Sequence, residues 1–240
     1  MKNYIIGIGG TGAKCLEHLL HCCSAGLGPE NLWAGMVDQD EANGNVSRTK
    51  ILLNKYTNLR NNLRNESKHD LASKSNLFKT HISSNTDAVW LPMKDANPTL
   101  EDLIKYNLLK PEVKGLMDCL YDPEELKLNL SEGFRARPNI GAAAILSTTA
   151  NEDDIFWSQI YKAIDAARGG EEVRVFIISS IFGGTGASGF PNIARRIRQI
   201  QKDKNVSSNF HLGGALMLPY FNYEVPVSYT HLTLPTSYAV

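Results

Sequence analysis

Apolar residues gather in four short runs with amphipathic stretches between them. The first holds Tyr4, Ile5, Ile6 and Ile8, and so short a run predicts a buried strand over Lys2–Ile8. Ala13–Ser24 then puts Leu16, Leu19, Leu20 and Cys23 on one stripe of a helix, which Gly26, Gly28 and Pro29 stop. Leu32–Val37 predicts a second strand ending on Asp38 and Asp40, completing a βαβ unit whose natural sheet is parallel. Further on, Phe134–Ser147 reads as a loop opening a helix, with Pro138 and Gly141 at the junction. Asp153–Ala167 carries Ile155, Phe156, Ile160 and Ile164 at helical spacing. Val173–Ile181 is apolar at nearly every position, which predicts a central strand covered on both faces. A basic amphipathic helix over Pro191–Lys202 and a strand over Phe210–Leu218 follow. Strands alternating with helices predict an α/β fold with a doubly wound, mostly parallel sheet.

Between residues 43 and 133 the pattern loosens, and this stretch is expected to be a helical insertion or variable region. Within it, Arg48–Leu63 predicts a helix with Leu52, Tyr56, Leu59 and Leu63 on one face. Eight basic residues between Arg48 and Lys79 face only Glu66 and Asp70, and read best as a solvated face. Asp118–Glu132 is acidic and broken by Pro123.

Charge and composition narrow the function classes. Lys and Arg total 25, as do Asp and Glu, so no net field favours nucleic acid or an anionic membrane. No apolar run nears the ~20 residues of a membrane helix, and the opening residues read as a strand rather than a signal peptide. Cys15, Cys22, Cys23 and Cys119 lack metal-ligand spacing and read as reduced packing residues, so a cytoplasmic protein is expected. His18 and His21 share a helix without an acidic partner, and no catalytic triad or metal cluster is legible. Val227–Thr236, "VSYTHLTLPT", equals one reading frame of the adapter used in transposase-based sequencing libraries. Residues 227–240 are therefore expected to be non-native, and the domain to span residues 1–226 and be incomplete at its C-terminus.

The candidate chemistry lies in two glycine turns. Gly7-Ile8-Gly9-Gly10-Thr11-Gly12 follows the first strand, and Gly183-Gly184-Thr185-Gly186 follows the long apolar one. Each precedes a helix, so backbone amides and a helix N-terminus can meet an anion, with Thr11 and Thr185 adding hydroxyls. Neither is a Walker A loop, since no Lys stands between the last Gly and a Ser or Thr. The first turn, with Asp38 or Asp40 for a ribose, equally fits an NAD-binding Rossmann oxidoreductase domain. The second turn favours one polyphosphate held between two cradles.

"GIGGTGAKCLEHL" followed by "FGGTGASGFP" resembles the tubulin/FtsZ GTPase superfamily, and most closely its bacterial tubulin-like branch. "VDQD", "RARPNIGAAA" and "GGALMLPYFNYE" resemble further family segments, in the same order. Phe182 stands where the family signature has its first glycine, and Ser188 where FtsZ has another. The resemblance implies a GTP/GDP site, with Mg²⁺, gripped by Gly9, Gly10, Thr11 and Gly12 and by Gly183, Gly184, Thr185 and Gly186. It implies that Asn139 and Gly141 sense the γ-phosphate, with Asp38 and Asp40 near the nucleotide and Arg135, Arg137 and Lys14 as further phosphate candidates. It further implies head-to-tail self-assembly, with water-activating acids supplied by the next subunit from a loop beyond Glu224. A tubulin-like binding module without nucleotide turnover remains the other reading.

Overall fold

The structure is a computed structural model and describes residues 1–40, 43–65, 76–84, 88–93, 98–131, 133–148 and 150–218. The 227–240 tail and the end of the "GGALMLPYFNYE" segment lie outside these residues.

The four apolar runs become β1 (Lys2–Ile8), β2 (Asn31–Val37), β5 (Val173–Ser180) and β6 (Phe210–Met217). Two strands that the pattern did not announce, β3 (His81–Ile82) and β4 (Val89–Trp90), pair with the two ends of the outer edge of β2. At two residues each, they are too short to show an alternation. All pairings are parallel, in the order β3-β2-β1-β5-β6. The α/β fold class is therefore as expected, and the stretch foreseen as a helical insertion or variable region also feeds the sheet.

Helix α1 (Gly9–Ser24) carries the chain from β1 to β2, and α2 (Gly44–Asn65) packs beside α1. Alternation within the strands sorts side chains to two layers. Leu32, Ala34 and Met36 meet Leu16, Leu20, Val46 and Leu53 of α1 and α2 on one face. On the other face Tyr4, Ile6, Ile8, Val175 and Ile177 join the main core. That core is closed by α6 (Pro138–Ser147), α7 (Ile155–Arg168) and α8 (Gly184–Asp203). Trp90, Phe156 and Trp157 fill it, with Trp90 and Trp157 edge to face at 5.1 Å. Between β4 and α6 come the short α3 (Leu100–Leu103), then α4 (Pro111–Leu120) and α5 (Pro123–Leu126).

Three local expectations change. Gly9–Gly12 and Gly184–Gly186, read as turns, already form the first turns of α1 and α8. The buried face of α2 is Val46, Thr49, Leu53 and Tyr56, while Leu59 and Leu63 are exposed because the helix outruns the body. The far face of β5 is not sealed along its length: α1 meets β5 at Ile178, near its carboxyl end, while Phe176 stays 41% exposed.

Candidate functional site: a cleft at the sheet's switch point

β1 sends the chain outward through α1 to β2, and β5 sends it the other way through α8 to β6. Strand order thus reverses between β1 and β5, which is where an open α/β sheet forms a crevice at its carboxyl ends. Both glycine segments stand there, 171 residues apart in sequence, and Ser179 Oγ ties the two strand ends by donating to the Ile8 carbonyl at 3.2 Å.

The segments touch. Gly9 adopts φ +70°, and a Cβ there would lie 3.3 Å from the Gly186 nitrogen. Gly12 lets α1 lie on the sheet, since a Cβ would meet the Gly7 carbonyl carbon at 2.6 Å and the Ile178 oxygen at 2.7 Å. Gly184 is pressed on its buried side against Phe134, while Gly183, at φ +151°, has open space around it. Together they bound a cleft of about 300 Å³ that also takes in Asp38, Asp40, Asn43, Asn45 and Arg135.

The helix ends decide the electrostatics. α1 and α8 start on Ile8 and Gly183 with no side-chain cap and no acid in the first turn. Thr99, Asp122 and Asp154 cap α3, α5 and α7, whereas α4 and α6 also lack a side-chain cap but open on Pro111 and Pro138, which have no amide proton to satisfy. First-turn amides of α1 and α8 are thus left for a ligand, with the partial positive charge of both helices behind them. Asn43 caps α2, its Oδ1 accepting from the Asn45 amide at 2.9 Å, so a third helix N-terminus reaches the same cleft.

One carboxylate faces these donors. Asp38 is 3% exposed, and its Oδ1 accepts from Thr185 Oγ1 at 3.3 Å and from the Asp40 amide at 3.3 Å. Asn43 Nδ2 donates to its Oδ2 at 3.1 Å. Burial nevertheless pushes its pKa up to about 6 against the relief these donors supply, and Asp40 adds to the rise. Gln39 anchors the same loop through paired bonds with the Met93 backbone.

Residues 4–231 match the family model described as "tubulin like". The chain belongs to the tubulin-like family. No curated protein and no solved structure matches it.

In this tubulin-like chain the structure brings Gly9, Gly10, Thr11, Asp38, Asp40, Gly183, Gly184, Thr185 and Gly186 together around one cleft. Gly12 sits beneath it, in the contact of helix and sheet. Asn139 and Gly141 are not brought to the cleft lining. Asn139 is exposed on the first turn of α6, and Gly141 is buried where a Cβ would come 2.4 Å from Ser188 Oγ. Gly141 therefore serves the packing of α6 on α8. Lys14 points to solvent from α1, and Arg137 Nε lies 3.6 Å from Glu125. Arg135 does reach the cleft. It and Ala136 take φ +44° and +58°, left-handed backbone that non-glycine residues adopt at a cost of about 1–2 kcal/mol each.

Asn43, Asn45 and Phe134 were not legible as site residues. The available signal was a helix N-cap directly after the Asp38–Asp40 segment, which predicts that the cap faces whatever Asp38 faces. Among the described residues no three His, Cys, Asp or Glu side chains cluster as a metal site. Among them, too, no helix is long and apolar enough to cross a membrane.

Proposed function

We propose that this tubulin-like protein binds GTP and GDP in the switch-point cleft and self-assembles head to tail, with hydrolysis at subunit junctions in the full assembly. The observation that carries the nucleotide reading is the pair of uncapped helix N-termini, α1 and α8, meeting at Gly9 and Gly186. Two adjoining amide sets suit a chain of phosphates better than a single anion. Residues Gly9 to Thr11 hold one part and Gly183 to Gly186 the other, with Arg135 at the rim. Mg²⁺ usually keeps several waters and takes one or two protein carboxylates beside substrate phosphates. Asp38 and Asp40 fit that modest demand. The water-activating acids are expected from the neighbouring subunit, so hydrolysis is expected to depend on assembly.

Thermal unfolding with added nucleotide tests the reading. GTP with Mg²⁺ at ~100 times Kd stabilises a binding protein by about 2.7 kcal/mol. NAD(H) should leave the melt unmoved. Stabilisation by NAD(H) but not GTP would instead support the Rossmann oxidoreductase reading, and stabilisation by neither the binding module without turnover.

A further inference from the structure

Among the described residues, two helices carry apolar stripes that stay exposed. On α4, Val113, Leu116 and Leu120 are 39%, 55% and 55% exposed, and no residue of the helix is buried. Its two half-buried residues are Lys114 and Met117, and the rest of the helix is exposed. Lys114 Nζ lies 4.4 Å from the Tyr106 ring centroid, and the Tyr106 hydroxyl donates to Asp118. A surface helix ordinarily turns its apolar stripe to the core. On α2 the stripe that begins with buried Tyr56 continues into Leu59 and Leu63, 49% and 45% exposed.

The two stripes differ in charge and in position. Over residues 44–63, α2 carries Arg48, Lys50, Lys55 and Arg60 and no acidic residue. The segment 98–131 around α4 has seven carboxylates against four lysines. α2 starts at the cleft and, at 1.5 Å per residue, runs about 33 Å toward the other end of the sheet. Its Tyr56 hydroxyl donates there to the Thr80 carbonyl, next to β3 and the start of β2. The α4 segment is tied to the cleft end, through Glu125 on Arg137 at the head of α6.

We infer that the acidic, apolar α4 of one copy docks on the basic, apolar C-terminal half of α2 of the next copy. The surfaces are unlike and lie at opposite ends, so the contact repeats in one direction and builds an open chain. It rests on the self-assembly part of the reading above and supplies its surfaces. Two stripes of this length fall near or below the ~1,200 Å² of stable complexes, so association is expected to be concentration-dependent.

Sedimentation velocity of the 240-residue chain with GTP and Mg²⁺ tests it. Leu116→Asp with Leu120→Asp removes one surface, and Leu59→Asp with Leu63→Asp the other. Each variant alone should stay monomeric at concentrations where the wild type assembles. An equimolar mixture should form dimers and stop there, since one intact surface remains on each partner. Raising salt from 50 to 500 mM should weaken wild-type assembly at least threefold. Variants that assemble like the wild type, or a mixture that does not dimerise, overturn this pairing and leave self-assembly standing. A wild type that stays monomeric overturns both. GTP-induced thermal stabilisation, measured on the same variants, reports the nucleotide reading separately.

Discussion

Replacing Asp38 by Asn asks whether a buried charge is kept at the cleft at the expense of stability. Burial moves its pKa from 3.8 to about 6. The folded state therefore holds the proton more tightly than the unfolded one. That contribution to stability is complete below pH 3.8 and is lost as pH rises through 6. A shift of about two units corresponds to about 3 kcal/mol, of which about 2 kcal/mol falls between pH 4.5 and 7.5. Asparagine does not titrate, so its variant lacks this slope. It also turns a donor toward Asn43 Nδ2, whose amide is held by the Asn45 bond, at a cost of about 1–3 kcal/mol at every pH. Urea unfolding of both proteins across that range isolates the difference, since every other titrating group is common to both. Relative to wild type, Asp38→Asn should gain about 2 kcal/mol on going from pH 4.5 to 7.5. A difference constant within 0.5 kcal/mol, or one running the other way, would refute a buried, proton-hungry carboxylate between the two glycine segments.

Other outcomes follow from the same geometry. Gly183→Val meets no neighbour but strains a φ of +151°, so it should cost about 1–3 kcal/mol in thermal unfolding and abolish GTP-induced stabilisation. Gly141→Ala should destabilise by about 1–3 kcal/mol through the contact with Ser188, with less than additive loss in Gly141→Ala/Ser188→Ala, and nucleotide titration should show GTP affinity preserved. Arg135→Ala at the rim should weaken GTP binding about 3–10-fold by calorimetry. Arg137→Ala, whose guanidinium faces Glu125, should leave affinity within about twofold.

Legibility tracked how local each signal was. Both strand–glycine–helix units were readable because strand, turn and helix follow one another along the chain. Only the length of the turns was misjudged, since glycines that punctuate a pattern can equally begin a helix. The outward drift of Leu59 and Leu63 was not readable: a stripe has the same period whether or not a body lies beneath it. Gly141 reads the same whether phosphate or Ser188 lies against it, and only the packing of α6 on α8 distinguishes the two.

By itself, the amino-acid order determined the α/β class, the four main strands and the two glycine segments that each follow a strand and precede a helix, because hydrophobic period and backbone freedom act within a few residues. The tertiary structure decided which strands are neighbours, since parallel pairing joins segments far apart in the chain. From that pairing come the meeting of Gly9 with Gly186, the bond from Thr185 to Asp38 across 147 residues, and the arrival of Asn43 and Arg135 at one cleft.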